Sequence, residues 1–120
     1  MSKCPDASYC EHHLAAALER LAPIAHVRTE YIMDDSKGQI TCKHGPEECA
    51  GNLAQLCVER HAPLDKNYDW FYRFLLCTWD SGMPIGSKEG AEECLDKVGA
   101  AGAPRAAISR CIAGSEGAAL

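Results

Sequence analysis

Residues 42–57 read CKHGPEECAGNLAQLC, and this stretch decides the fold. Pro46 suits the first turn of a helix, where its missing N–H costs no hydrogen bond and its fixed φ is already helical. The pattern predicts a helix from Pro46 through about Arg60. Cys49 and Cys57 then share that helix, eight residues and roughly 12 Å of rise apart, which is beyond the reach of a disulfide. Each must find its partner in another segment, so the helix is expected to be stapled to its surroundings.

Upstream, residues 6–22 (DASYCEHHLAAALERLA) place Leu14, Leu18 and Leu21 at helical spacing in an alanine-rich stretch, and Pro23 ends it. Residues 26–33 (HVRTEYIM) alternate Val27, Thr29, Tyr31 and Met33 on one side, which reads as a strand. A turn cluster over 34–38 leads to a short second strand at 39–42. Downstream, residues 65–79 (DKNYDWFYRFLLCTW) set Tyr68, Phe71, Tyr72, Leu75, Leu76 and Trp79 on one helical face. A short helix over 88–98 ends at Gly99, and a last one follows around Pro104 to Ala113.

The chain has 120 residues, enough for one domain with a modest core. A hydrophobic fraction of 47% with 24% charged residues excludes wholesale disorder. The net charge of −5, without any Lys/Arg cluster, excludes a phosphate-tracking surface, so no nucleic acid partner is expected. No apolar run approaches membrane-spanning length, so no membrane span is expected either. Met1 is followed at once by polar residues and Cys4, and the regions of a signal peptide are missing from the given chain.

Eight cysteines are far more than a reduced cytosolic protein usually keeps. Their even number and wide scatter point to an oxidising compartment. Cys42, Cys49, Cys57, Cys77, Cys94 and Cys111 are expected to form three structural disulfides, and six cysteines allow fifteen pairings among which the spacing does not choose. Cys42, His44, Cys49 and Cys57 could instead ligate zinc in a small zinc-binding domain, but their gaps lack the close ligand pairs usual in structural zinc sites. No metal and no cofactor is expected. His44 reads as a loop residue bonding the backbone beside Gly45, Asn52 as a local helical bond or cap, and the aromatic residues as core.

The segment 42–57 has the form Cys-x-His-Gly-x-x-Glu-Cys-x-x-Asn-x-x-x-x-Cys, filled by Cys42, His44, Gly45, Glu48, Cys49, Asn52 and Cys57. It resembles the signature of the gamma-interferon-inducible lysosomal thiol reductase family, with Lys43 where that family normally has Gln. The likeness continues at KCPDA (3–7), YRFLLCTWD (72–80), CLDKVGA (94–100) and RCIAGSEGAAL (110–120), and the first of these is most similar to fungal members.

The resemblance implies an α/β, mostly helical, thioredoxin-like domain with a helical insertion carrying the signature. Residues 1–120 would be a single domain, the middle of that plan, lacking the entering strand and the closing strands introduced by a cis-proline. Such an incomplete sheet would leave a strand edge open to a second copy, giving a homo-oligomer. The implied activity is thiol–disulfide exchange on disulfide-containing protein substrates, in the secretory pathway, a lysosome or vacuole, or outside the cell.

A thiol at a helix N-terminus is helped toward thiolate by the macrodipole, and Cys4 before Pro5 fits that place. The resolving cysteine belongs three residues on, where this chain has Ala7. The next cysteine, Cys10, lies six residues from Cys4, a rise of ~9 Å on the wrong side of a regular helix. Cys4 is therefore the candidate nucleophile and Cys10 a poorly placed resolving thiol. The competing reading is a non-catalytic, disulfide-stapled relative that binds proteins.

Overall fold

Prolines open the first two helices, α1 (Pro5–Leu21) and α2 (Pro46–His61), as the sequence pattern requires. The computed structural model describes residues 1–114. Gly45 caps α2 at φ 94°, a conformation that a side chain would strain. Three more helices follow: α3 (Arg73–Asp80), α4 (Lys88–Lys97), capped by the Ser87 hydroxyl accepting from the Gly90 amide, and α5 (Gly102–Ala113). The helix expected over 65–79 is one continuous helical run with changing pitch, a 3-10 turn at Leu64–Lys66 and a π-helical stretch at Asn67–Tyr72 leading into α3. The change of pitch alters its inner face: Phe71, Tyr72, Phe74 and Leu75 are buried, while Tyr68, Leu76 and Trp79 are only half-buried.

α2 packs on α5, and α3 packs on α4. Between them lie Val58, Phe71, Phe74, Leu75, Leu95 and Ile108, all essentially inaccessible to water. Cys57 and Cys94 sit at 0% exposure and Cys111 at 1%, so the core is built around sulfur as well as hydrocarbon. On the outer side, Arg105 of α5 reaches Glu92 at 2.6 Å and Asp96 at 2.7 Å on α4.

The strand expected at 26–33 does not form. Residues 26–33 are extended, and the alternation is real, since Val27, Thr29 and Tyr31 face inward while His26, Arg28, Glu30 and Ile32 face water. Met33, expected on the inner side, is exposed. What is missing is a partner strand. Asn67 takes that place: its Oδ1 accepts from the Val27 amide at 2.7 Å and its Nδ2 donates to the Val27 carbonyl at 3.1 Å. The Thr29 amide donates to Glu59 at 3.0 Å. Side chains thus satisfy the backbone where a ladder would. The second strand expected at 39–42 is reduced to one antiparallel bridge between Asp34 and Thr41.

Among the described residues there is no other β pairing, so the α/β expectation gives way to a mostly helical globule. The edge on which self-association was expected is a single segment without regular secondary structure, whose Val27 and Thr29 amides are bonded to side chains. Among the described residues no helix is long and apolar enough to cross a membrane, and no buried side-chain nitrogen or oxygen lacks a hydrogen-bond partner.

Candidate functional site

Cys4 is the N-cap of α1, with extended backbone (φ −83°, ψ 120°). Its carbonyl accepts from the Ser8 amide at 3.1 Å, closing the first turn, and Pro5 occupies N1. The thiol is free and half-buried, beside the unpaired amides that make a helix N-terminus electropositive. Cys10 is also free and lies exposed on α1. The structure does not join the two, as the six-residue spacing requires.

The other six cysteines are paired. Cys57 on α2 bonds Cys111 on α5, and Cys77 on α3 bonds Cys94 on α4, each with 5.7 Å between Cα atoms. Cys42 bonds Cys49 across the turn at Gly45-Pro46, which brings their Cα atoms to 5.5 Å. Cys49 therefore reaches the loop just before its own helix. With Cys42, Cys49 and Cys57 committed to disulfides, the zinc reading loses its thiolates, and no cluster of potential metal ligands occurs among the described residues.

The segment entering Cys4 is gripped by α2. Asn52, completely buried, accepts the Ser2 amide on Oδ1 at 2.8 Å. Glu48, also completely buried, accepts the Lys3 amide at 3.3 Å, and its carbonyl accepts the Ser2 hydroxyl at 3.0 Å. His44 completes the group with its ring Nδ1 2.7 Å from Glu48 Oε2 and its amide donating to Glu48 Oε1 at 3.3 Å. Gly51, between the two acceptors, leaves the room that Ser2 fills, since a Cβ there would stand 2.4 Å from the Ser2 hydroxyl. Asn52, expected to bond locally, thus bonds fifty residues away, and His44, expected to bond the backbone beside Gly45, instead bonds the Glu48 side chain through both its ring and its amide. Sequence reasoning missed Ser2, Glu48 and Asn52 as a group. The available signal was a helix face alternating two polar side chains, four residues apart, with a glycine between them.

α1 itself has no buried residue and docks through polar contacts. Tyr72 donates to the Glu11 carbonyl at 2.6 Å and Tyr68 to the Ala15 carbonyl at 3.2 Å. Trp79 Nε1 donates to the Glu11 carboxylate at 2.6 Å, and His12 Nε2 lies 3.0 Å from Asp80. His13 bonds only the Tyr9 carbonyl of its own helix among these contacts, so the adjacent histidines do not act as a pair.

The profile of the gamma interferon inducible lysosomal thiol reductase family matches residues 1–98, which contain Cys4, the clamp and the whole signature. The chain belongs to that family. No curated protein and no solved structure matches it. As a thiol reductase family member it carries the signature cysteines as staples, Cys42–Cys49 and Cys57–Cys111, and leaves Cys4 and Cys10 as free thiols.

The docking of α1 in this family member is expected to depend on pH. Burial pushes the Glu11 carboxyl above its ordinary 4.5, and the Ser8 carbonyl, assisted by Asp80, pushes His12 above its ordinary 6.5. Both groups bind their proton more tightly when folded. Their stabilisation is complete below those ordinary values and is lost as pH rises through the raised ones. Glu48 has the opposite sign: burial pushes it up, but hydrogen bonds from the His44 ring, the His44 amide and the Lys3 amide together outweigh burial and hold it low. Its contribution is present above 4.5 and lost as pH falls through the lowered value. Hydrogen exchange of the α1 amides, corrected for intrinsic rate, is expected to show greater protection at about pH 5.5 than at about pH 8. The exposed His12–Asp80 pair accounts for about 0.5 kcal/mol after solvent screening. Protection that is flat or rises toward pH 8 would contradict these assignments.

Proposed function

We propose that this chain is a thiol–disulfide oxidoreductase acting on protein disulfides, with Cys4 as the attacking thiol, in a lysosomal or secreted setting. The observation that carries the reading is the division of the cysteines: six are locked in disulfides, and a free, half-buried thiol stands at the N-terminus of a 17-residue helix. Family membership supports the same chemistry, and it also supports thioredoxin-like descent for a fold that is mostly helical among the described residues. Three disulfides favour an oxidising compartment.

In the first step the Cys4 thiolate attacks one sulfur of a substrate disulfide. The Cys4–substrate S–S bond forms, the substrate bond breaks, and the other substrate sulfur leaves as a thiolate. With Ala7 at the usual resolving position, a second thiol must release the product by attacking Cys4 sulfur. A small-molecule thiol does this directly, and regenerates Cys4 with a second equivalent. Cys10 does it only if the first turns of α1 open.

Reduction of a model protein disulfide by wild type, Cys4→Ser and Cys10→Ser, with a small thiol as reductant, tests the reading. Cys4→Ser is expected to fall to the uncatalysed rate, whereas Cys10→Ser retains turnover and, once the small thiol is withheld, holds a mixed disulfide on Cys4. Equal rates for wild type and Cys4→Ser would end the enzymatic reading and leave the stapled, protein-binding relative in its place.

A further inference from the structure

We propose that Glu48 and Asn52 of the signature are positioning residues for the Cys4 thiol, and that Gly51 is the notch that lets them act. The inference rests on the reading of Cys4 as the exchange thiol and deepens it. Met1 to Lys3 lead into Cys4, and two of these three residues, Ser2 and Lys3, have their amides fixed by side chains of α2. Both acceptors are at 0% exposure, and Ser2 is at 1%. That is an unusual place for such polar groups unless their partners are fixed, since a buried carboxylate or amide without its hydrogen bonds is costly.

The geometry specifies what the clamp controls. The Cys4 amide donates to the Met1 carbonyl at 3.1 Å, so Met1 to Cys4 form a closed turn whose inner amides, Ser2 and Lys3, point at α2. Fixing those two amides fixes the direction in which the chain enters α1. The entry direction in turn sets where the Cys4 side chain, which makes no cap hydrogen bond of its own, stands at the start of the helix. α1 has no buried side chain of its own to do this. The Cys42–Cys49 disulfide and Gly45 hold His44 against Glu48 from the other side, so the signature residues His44, Gly45, Glu48, Cys49 and Asn52 form one support for the turn before Cys4.

Cys10 provides an internal control, because it is a free thiol on the same helix, outside the clamp. The test is the ratio of Cys4 to Cys10 alkylation by iodoacetamide at about pH 6, read by peptide mass spectrometry in wild type, Glu48→Ala, Asn52→Ala, Asn52→Asp and Gly51→Ala. Loss of the clamp is expected to lower the ratio about threefold or more, the scale of losing one interaction at a helix terminus. Asn52→Asp keeps the oxygen that accepts the Ser2 amide but buries a second carboxylate one helical turn from Glu48, and is expected to recover the ratio only in part. A role confined to holding the fold together would expose both thiols alike and leave the ratio unchanged in every variant.

Gly51→Ala covers the case in which the alanine variants at 48 and 52 do not fold. It improves helix propensity, leaves both acceptors in place and displaces Ser2, together with the Ile85 methyl 2.9 Å from the added carbon, by contact alone. A ratio unchanged in Gly51→Ala and in every folded clamp variant overturns the proposal. The readout needs no turnover: a shifted ratio in a chain that reduces no disulfide supports the clamp and sinks the reductase reading, and the reverse pattern sinks the clamp alone.

Discussion

Replacing Cys57 and Cys111 together by alanine is expected to lower the unfolding free energy by about 4 kcal/mol, the largest loss among the three disulfides. The bridge closes a loop of 54 residues in sequence separation, against 17 for Cys77–Cys94 and 7 for Cys42–Cys49. In the chain-entropy account the stabilisation grows with the logarithm of the loop, so the corresponding losses are about 3 and about 2.5 kcal/mol. The nested Cys77–Cys94 bridge shortens the larger loop somewhat without changing the order. Location adds to the ranking: Cys57 and Cys111 are buried where α2 meets α5, whereas Cys42 and Cys49 are only half-buried. Urea denaturation of the three double variants measures it, and equal midpoint shifts at equal slope would show that loop length does not govern stability here.

Phe74→Ala is expected to cost about 4 kcal/mol, because the ring is at 0% exposure in the cluster joining α2, α3 and α4, and its removal leaves a cavity that surrounding helices tied by disulfides collapse into poorly. Leu64→Ala, fewer than a dozen residues upstream, is expected to change stability by no more than about 0.5 kcal/mol, since Leu64 is 76% exposed. The contrast checks the pitch of the helical run. A uniform α-helix over 65–79 would put Tyr68 and Trp79 deeper than Phe74. With the π-helical stretch at Asn67–Tyr72, Phe74 joins Phe71 as a fully buried ring. A loss below about 1 kcal/mol for Phe74→Ala in chemical denaturation would refute this packing.

The helices were legible because their signals are local. Pro5 and Pro46 mark two starts, Ser87 caps a third, and the apolar spacing within each segment is short-range information. The alternation at 26–33 was equally legible as burial, with Val27, Thr29 and Tyr31 inward. Periodicity does not supply a neighbour, and the partner here is the side chain of Asn67, forty residues away. The clamp was invisible for the same reason. Glu48 and Asn52 read as ordinary helical polar residues until the backbone of Ser2 and Lys3 is laid beside them.

By itself, the sequence determined the helical segments, the membership implied by residues 42–57, and the fact that Cys49 and Cys57 cannot bond each other, since helix rise depends only on spacing. Tertiary structure decided which helices meet, and therefore that Cys57 takes Cys111 and Cys77 takes Cys94, as well as which amides α2 holds in front of Cys4. Those outcomes depend on distances between segments far apart in the chain, which no local pattern encodes.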